Sequence, residues 1–401
     1  MVTLALQSRG QSLPGISTEL RFVDVLDRVS MLSRAQKTIA PRLFAGEFAS
    51  HFRHYASLEC VGARRQIKGA AIAIAVCDAI VLVVDVFQGP MAQTREHALI
   101  ARAFGHLPLV VFINGCDRVT DTEQIDLCEL ETRELLSSVG YDGDATAFVR
   151  GSAKSAVNVG GRWATPIDEL IALLDREVLD PARLNDAPLC ARILHRYDNI
   201  RSADTRAVVV ELAVQRGTIE VNQKLFVWGR STGVVNTEVR SLRVFDRAVP
   251  KIAAGDLATA ELAIIGSRAA QRRALRRGFL LADQLSGPAT IEIEVDLTLI
   301  RGADGGRHTP IAPGAQAVFD FWGTRSVGRM VPTQSLEPMQ PGATHRAIRV
   351  TLQHPLPLKV GDAFVLSDGS DGLQRQYGGA ARWGGTIGSG RVTQLLSAPV
   401  E

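Results

Sequence analysis

Lysine is scarce in this chain. Of 45 basic residues, Lys stands at six positions (37, 68, 154, 224, 251 and 359) and Arg at the other 39, a skew of the kind that G+C-rich coding produces. Set against 42 acidic residues, the balance is +3, too small to mark a polyanion-binding protein by itself. Cysteine is sparse and unpaired in pattern: five residues (60, 77, 116, 128 and 190), with no C-x-x-C. That excludes a disulfide framework or a zinc ribbon and fits a reducing cytoplasm. Long apolar runs are missing as well. AAIAIAV and AIVLVVDVF are broken by Asp78 and Asp85, short of the roughly 18 residues a membrane span needs. The opening MVTLALQSRGQS is too short and too polar for a signal peptide, so the expectation is a soluble cytoplasmic protein.

What is present is enough apolar sequence, 46%, for two or more packed domains over 401 residues. Up to about residue 186, buried-strand runs (54–60, 79–87, 107–115, 145–153) alternate with helical patterns (64–76, 92–103, 122–139, 167–174). Such alternation predicts βαβ units with a parallel sheet covered on both faces. After Pro188 the text turns to short alternating strands, and the turn signal LSGPAT at 285–290 divides them into two series. The expected layout is an α/β domain (1–186) and two antiparallel β-barrels (187–287 and 288–401).

Ligands of such sheets bind beyond the carboxyl ends of the strands. There the sequence places Glu59-Cys60-Val61-Gly62, Asn114-Gly115-Cys116-Asp117 and Gly151-Ser152-Ala153-Lys154. Their order resembles the D-x-x-G, N-K-x-D and S-A-[KL] loops of P-loop GTPases. The chemistry fits guanine: an Asp accepts its N1–H and N2–H₂ protons, the Asn braces the loop, and a Ser-Ala backbone N–H meets O6. QGPMAQTREHALIARAFGHLPLVVFINGCDRV (88–119), FRHYASLECVGA (52–63), GGRHTP (305–310) and VTLQHPLPLKVGDAFVL (350–366) extend the likeness over nearly the whole chain. They are similar to the elongation factor Tu family of bacterial translational GTPases. The resemblance implies a P-loop-GTPase-like domain with two barrels, GTP or GDP with Mg²⁺ as cofactor, and aminoacyl-tRNA and the ribosome as partners. No DNA or membrane is expected among them.

Four departures stand against that pattern. No G-x-x-x-x-G-K-[ST] phosphate loop occurs in the 401 residues. In register with the family, Met1-Val2-Thr3-Leu4 fall on Lys-Thr-Thr-Leu, so the loop and the first, central strand are expected to be missing. Ala63 stands where the family has its catalytic His. Gly115 replaces the Lys of N-K-x-D, and Lys37-Thr38 sits in a weakened first switch, with Thr38 the candidate Mg²⁺ ligand. Gly62 keeps an N–H for a γ-phosphate, and Glu59 replaces an Asp near Mg²⁺. The nucleotide candidates are therefore Glu59, Gly62, Asn114, Asp117, Ser152, Ala153 and Lys154, with no catalytic residue. Nucleotide binding is expected to be weak or absent in a degenerate paralogue; the alternative is an unusual but nucleotide-binding paralogue whose start is mis-assigned.

On the tRNA side the resemblance implicates Tyr197, Lys68, Arg307 and Arg277, the last in the basic run 272–277. The polar string Gln93-Thr94-Arg95-Glu96-His97 suggests a surface helix for an exchange-factor-like partner. Its plainer reading is helix stabilisation. Asp24 with Asp27, and Glu129, Glu131 and Glu134, read as solvated helix faces. Ser152 has no triad partner, and the histidines show no metal-ligand spacing. Without a central strand, the strands at 54–60 and 79–85 must pair directly or leave open edges.

Overall fold

The computed structural model describes residues 43–60, 73–157, 162–197, 207–229, 233–244, 247–265, 275, 278–283, 290–304, 306–321, 324–356, 358–368 and 385–396. Side chains of 43–47, 59, 60, 229, 233 and 234 are outside that description. Thr38, Gly62, Ala63, Lys68 and Arg277 lie outside it altogether, as does most of the helix expected over 64–76.

The first domain begins with a hairpin of β1 (Leu43–Ala49) and β2 (His54–Cys60), closed by the Ser50 N–H donating to the Arg53 carbonyl at 2.8 Å. A parallel sheet of β3 (Ile80–Asp85), β4 (Leu109–Asn114) and β5 (Ala147–Gly151) follows, in that spatial order. Four helices alternate with its strands: α1 (Ala92–Ala103), α2 (Thr122–Ser138), α3 (Ala153–Ala156) and α4 (Thr165–Glu177). Asp121 caps α2 by accepting the Glu123 N–H at 3.0 Å, and Pro166 fits the first turn of α4, where no intrahelical donor is needed. β4 is buried from Leu109 to Ile113. Its period of two sends Val110 and Phe112 to the face packed by Ile167, Leu170 and Leu174 of α4. Leu109, Val111 and Ile113 go to the face of Ile100 and Leu136 from α1 and α2.

β2 and β3 do not pair. The hairpin and the three-stranded sheet are separate, and among the described residues each turns one strand edge toward the other without a partner. Direct pairing, one of the two outcomes the sequence allowed, is not found.

Two closed six-stranded barrels follow. Around the first run Gly233–Val244, Leu257–Ile264, Ala207–Arg216, Cys190–Tyr197, Leu280–Ala282 and Lys224–Gly229, the last pairing back to the first. The second runs Thr290–Leu299, Thr344–Leu356, Thr324–Pro332, Gln316–Phe321, Ala363–Asp368 and Thr386–Leu395. Inward-facing aliphatics fill the first, and Phe319, Phe321 and Phe364, with ring centroids 5.0 to 6.2 Å apart, fill the second. Closure removes the free edges that open sheets must protect.

The barrels meet through the Thr324 hydroxyl, which donates to the Gly278 carbonyl, and around the buried Asp362. Burial pushes the Asp362 carboxyl up from 3.8 to about 6. The Lys359 N–H at 2.8 Å and the charges of Arg192, Lys359 and Arg216 act against that shift without overcoming it. The folded state holds this proton to higher pH than the unfolded chain does. Its contribution to stability is complete below about pH 4 and is lost as pH rises through 6. Asp362→Asn keeps an acceptor for Lys359 and removes the titration. The expected outcome is a flatter stability profile between pH 4 and 6 and a gain of about 3 kcal/mol at pH 7, read by urea unfolding at several pH values.

Candidate functional site

β4 and β5 end flush, with Asn114 directly opposite Gly151 in the parallel ladder. Two loops therefore leave the sheet side by side at its carboxyl edge. The Asn114 side chain reaches across, and its Oδ1 accepts the Ala153 N–H at 3.0 Å. Ala153 is fully buried, so this bond satisfies a donor with no access to water. Ser152 caps α3, its Oγ accepting the Ser155 N–H at 3.3 Å. Gly151 lets the second loop approach closely: a Cβ there would press on the Phe112 ring and on Pro166.

Asp117 stands in the short helical turn Cys116–Arg118, half exposed beside this bracing bond. Its Oδ2 accepts the Ser155 hydroxyl at 2.9 Å. Desolvation raises its pKa slightly, but hydrogen bonds with Ser152 and Ser155, its own backbone N–H and the Arg118 charge outweigh that and hold the carboxyl below its usual range. The loop thus presents an ionised carboxylate next to a fixed Ser-Ala backbone. A carboxylate can accept a pair of N–H donors from one edge of a base, which is the donor pattern of guanine and not of adenine. Lys154 is exposed on α3.

Gly115 adopts φ +90°, a left-handed conformation that favours glycine, and a side chain there would run into the Arg118 guanidinium. Arg118 lies over the Phe87 ring, 4.7 Å from its centroid, and pairs with Asp85 Oδ2 at 2.9 Å. Arg118 thus ties the loop to the end of β3. The signal was in the sequence as an Arg three residues after a Gly, but nothing in one dimension assigns it that place.

The residues expected at the phosphate end are not brought together by the description. Glu59 ends β2 with its side chain undescribed, and Gly62, Ala63 and Thr38 are outside the described residues. Asn114, Asp117, Ser152 and Ala153 converge, while no described group converges on a phosphate or a Mg²⁺ ion.

The string on α1 is corrected by the structure. It is not a free surface. Glu96 is 3% exposed and accepts the Thr386 hydroxyl of the second barrel, and Arg95 donates to the Asp304 carbonyl of that barrel and to Ser138 Oγ at 2.9 Å. Burial raises the pKa of Glu96 and lowers that of His97. Packing between domains accounts for the polar string, which removes the reason for assigning an exchange-factor-like partner to it. Glu129 is likewise no solvated carboxylate: it pairs with Arg133 and Arg150, both at 2.7 Å.

Of the tRNA candidates, Arg307 is held inside its barrel by Asp368 at 2.8 Å. Tyr197 donates to Glu211 Oε2 at 2.9 Å and meets His195 edge-on, with ring centroids 4.6 Å apart. Glu211, from the neighbouring strand, supplies an acid beside Tyr197 that sequence order hides, because 14 positions separate two residues that the pairing sets close together.

Residues 16–200 match the family model of the elongation factor Tu GTP binding domain. The match spans the parallel sheet and the first strand of the first barrel; the two closed antiparallel barrels continue beyond it.

Asn114→Ala leaves the Ala153 amide buried without an acceptor, a loss of about 1–3 kcal/mol. The expected outcome is local: exchange of the Ala153 amide accelerates by roughly ten- to a hundredfold, while amides of the second barrel keep their rates. Asn114→Asp retains an acceptor and recovers most of the protection. Hydrogen exchange resolved by residue is the measurement.

Proposed function

We propose that this chain is an elongation factor Tu-like scaffold of translation that keeps the guanine-recognition loops of its first domain and does not hydrolyse GTP. The Asn114–Ala153 hydrogen bond carries the reading, because it fixes both loops in one place and leaves the Asp117 carboxylate beside them. Hydrolysis needs backbone N–H groups and a Lys around the β- and γ-phosphates, a held Mg²⁺ and an oriented water. Ala63, at the position where the resemblance puts the catalytic His, offers no group that orients water.

Recognition in such a protein rests on the base and not on the phosphates. Guanosine and GDP are therefore expected to bind with similar, weak affinities and with little dependence on Mg²⁺. Asp117→Asn is expected to weaken both together. Titration against a fluorescent GDP analogue, with guanosine as competitor, makes the comparison, alongside a GTP hydrolysis assay expected to read background. Tight, Mg²⁺-dependent GDP binding would sink the proposal and restore an active GTPase.

A carrier role for aminoacyl-tRNA is supported by one observation, the aromatic and acidic pair Tyr197 and Glu211 on the first barrel. Under that role, aminoacyl-tRNA binds in a salt-dependent manner and Tyr197→Ala weakens it. A partner-binding scaffold with no RNA ligand gives neither effect.

A further inference from the structure

One guanidinium beside the loops of Asn114 and Ser152 is held from three sides and open on the rest. Asp85, the last residue of β3, is fixed by its own bonds: its Oδ1 accepts the Phe87 N–H at 3.0 Å, and its Oδ2 accepts an Arg118 guanidinium N–H at 2.9 Å. The Phe87 ring lies against the same guanidinium, 4.7 Å from centroid to Cζ. Gly115 closes the third side. Cζ stands 3.3 Å from the position a Cβ at 115 would take, so the glycine leaves the guanidinium its room. The Arg118 side chain is nonetheless 54% exposed, and an ion pair this open to solvent adds little to stability.

The strand ends set where that group stands. In the parallel ladder Asp85 lies opposite Asn114, and Asn114 opposite Gly151. Neighbouring strands are about 4.8 Å apart. The Asn114 side chain crosses the gap on one side of β4 to reach Ala153, and Arg118 crosses the gap on the other to reach Asp85. Asp117, the residue before Arg118, bonds to Ser155 on the first side. A base whose edge meets Asp117 therefore has its ring about one strand spacing from the guanidinium, inside the roughly 6 Å over which a cation interacts with an aromatic face. Asp85 already matches the Arg118 charge, so what Arg118 offers a ligand is a planar surface rather than an unpaired cation.

We infer that Arg118, backed by Phe87 and Asp85, is the surface against which the base of a bound guanine ligand stacks. This rests on the guanine reading of Asp117 proposed above. It adds what Gly115 lacks, a side chain able to cover the base. Guanidinium planes serve as supports for unstacked bases, and stacking of this kind accepts any base. The two neighbours thus divide the work: Arg118 supplies affinity, and Asp117 supplies the choice of guanine.

The test is a titration of the full chain with guanosine, guanosine 5′-monophosphate and adenosine, followed by NMR at the arginine Nε–H signals. In the unmodified chain, guanosine moves the Arg118 signal upfield through the ring current of a stacked base. Arg133, which lies over Phe148, keeps its signal. Arg118→Ala weakens guanosine and its monophosphate alike, by about tenfold, and leaves their preference over adenosine as it was. Arg118→Lys, which has the charge without the plane, is weakened nearly as far. Asp117→Asn instead reduces the preference for guanine. Thermal unfolding reports whether the variants stay folded, and the Arg118 signal of the unmodified chain decides the matter if one does not. The inference falls if guanosine binds and Asp117→Asn weakens it while the Arg118 signal and both Arg118 variants show no change; Arg118 then only ties the loop to β3. A loss confined to the monophosphate assigns Arg118 to the phosphate and overturns the stacking. If guanosine fails to bind the unmodified chain at all, the guanine reading itself falls and this one goes with it.

Discussion

The flush ending of β4 and β5 is the constraint on which the first domain's chemistry depends. Register in a parallel ladder is set residue by residue, and the pairing of Asn114 with Gly151 brings a side chain from one loop within reach of a backbone donor in the other. A shift of one residue would turn Asn114 to the opposite face, bury the Ala153 amide without a partner and carry Asp117 away from Ser155. β4 is suited to hold that register, because it is bonded on both edges and apolar on both faces. The site is therefore only as well defined as the ladder beneath it.

Between the domains, polar contacts join apolar ones: Leu58 and Val76 pack against Leu194, Ala213 and Leu257 of the first barrel, and Val365 of the second joins the cluster of Ile100 and Leu136. The Glu96–Thr386 contact, Arg95 with the Asp304 carbonyl, and Thr324 with the Gly278 carbonyl each engage a charged or hydroxyl side chain with a neighbour from a separate fold unit. Parted units return these groups to water, so the contacts select one arrangement mainly because a shifted, still buried one leaves the groups unsatisfied.

Much of this was legible in one dimension. The helices at 92–103 and 122–138, the strands that alternate with them, and the switch to barrels all follow from periodicity, because the local pattern and the tertiary burial demand the same residues there. Asn114, Asp117, Ser152 and Ala153 were legible for a related reason: loops at the ends of successive parallel strands must emerge on one edge. The polar string of α1 was misread because periodicity reveals an apolar face and is blind to a polar one that meets another domain. The partner of Tyr197 was missed because Glu211 comes from the adjacent strand, and strand register is not written in either strand alone.

Gly115 has a consequence for how this site can change. A Lys introduced there would take on a left-handed backbone angle, at roughly 1–2 kcal/mol, and would meet the guanidinium of Arg118. Moving Arg118 aside gives up its pair with Asp85 and its place over Phe87. A Gly115→Lys substitution is thus destabilising unless position 118 changes with it. Positions 115 and 118 are therefore coupled: the side chain tolerated at one depends on where the side chain of the other lies.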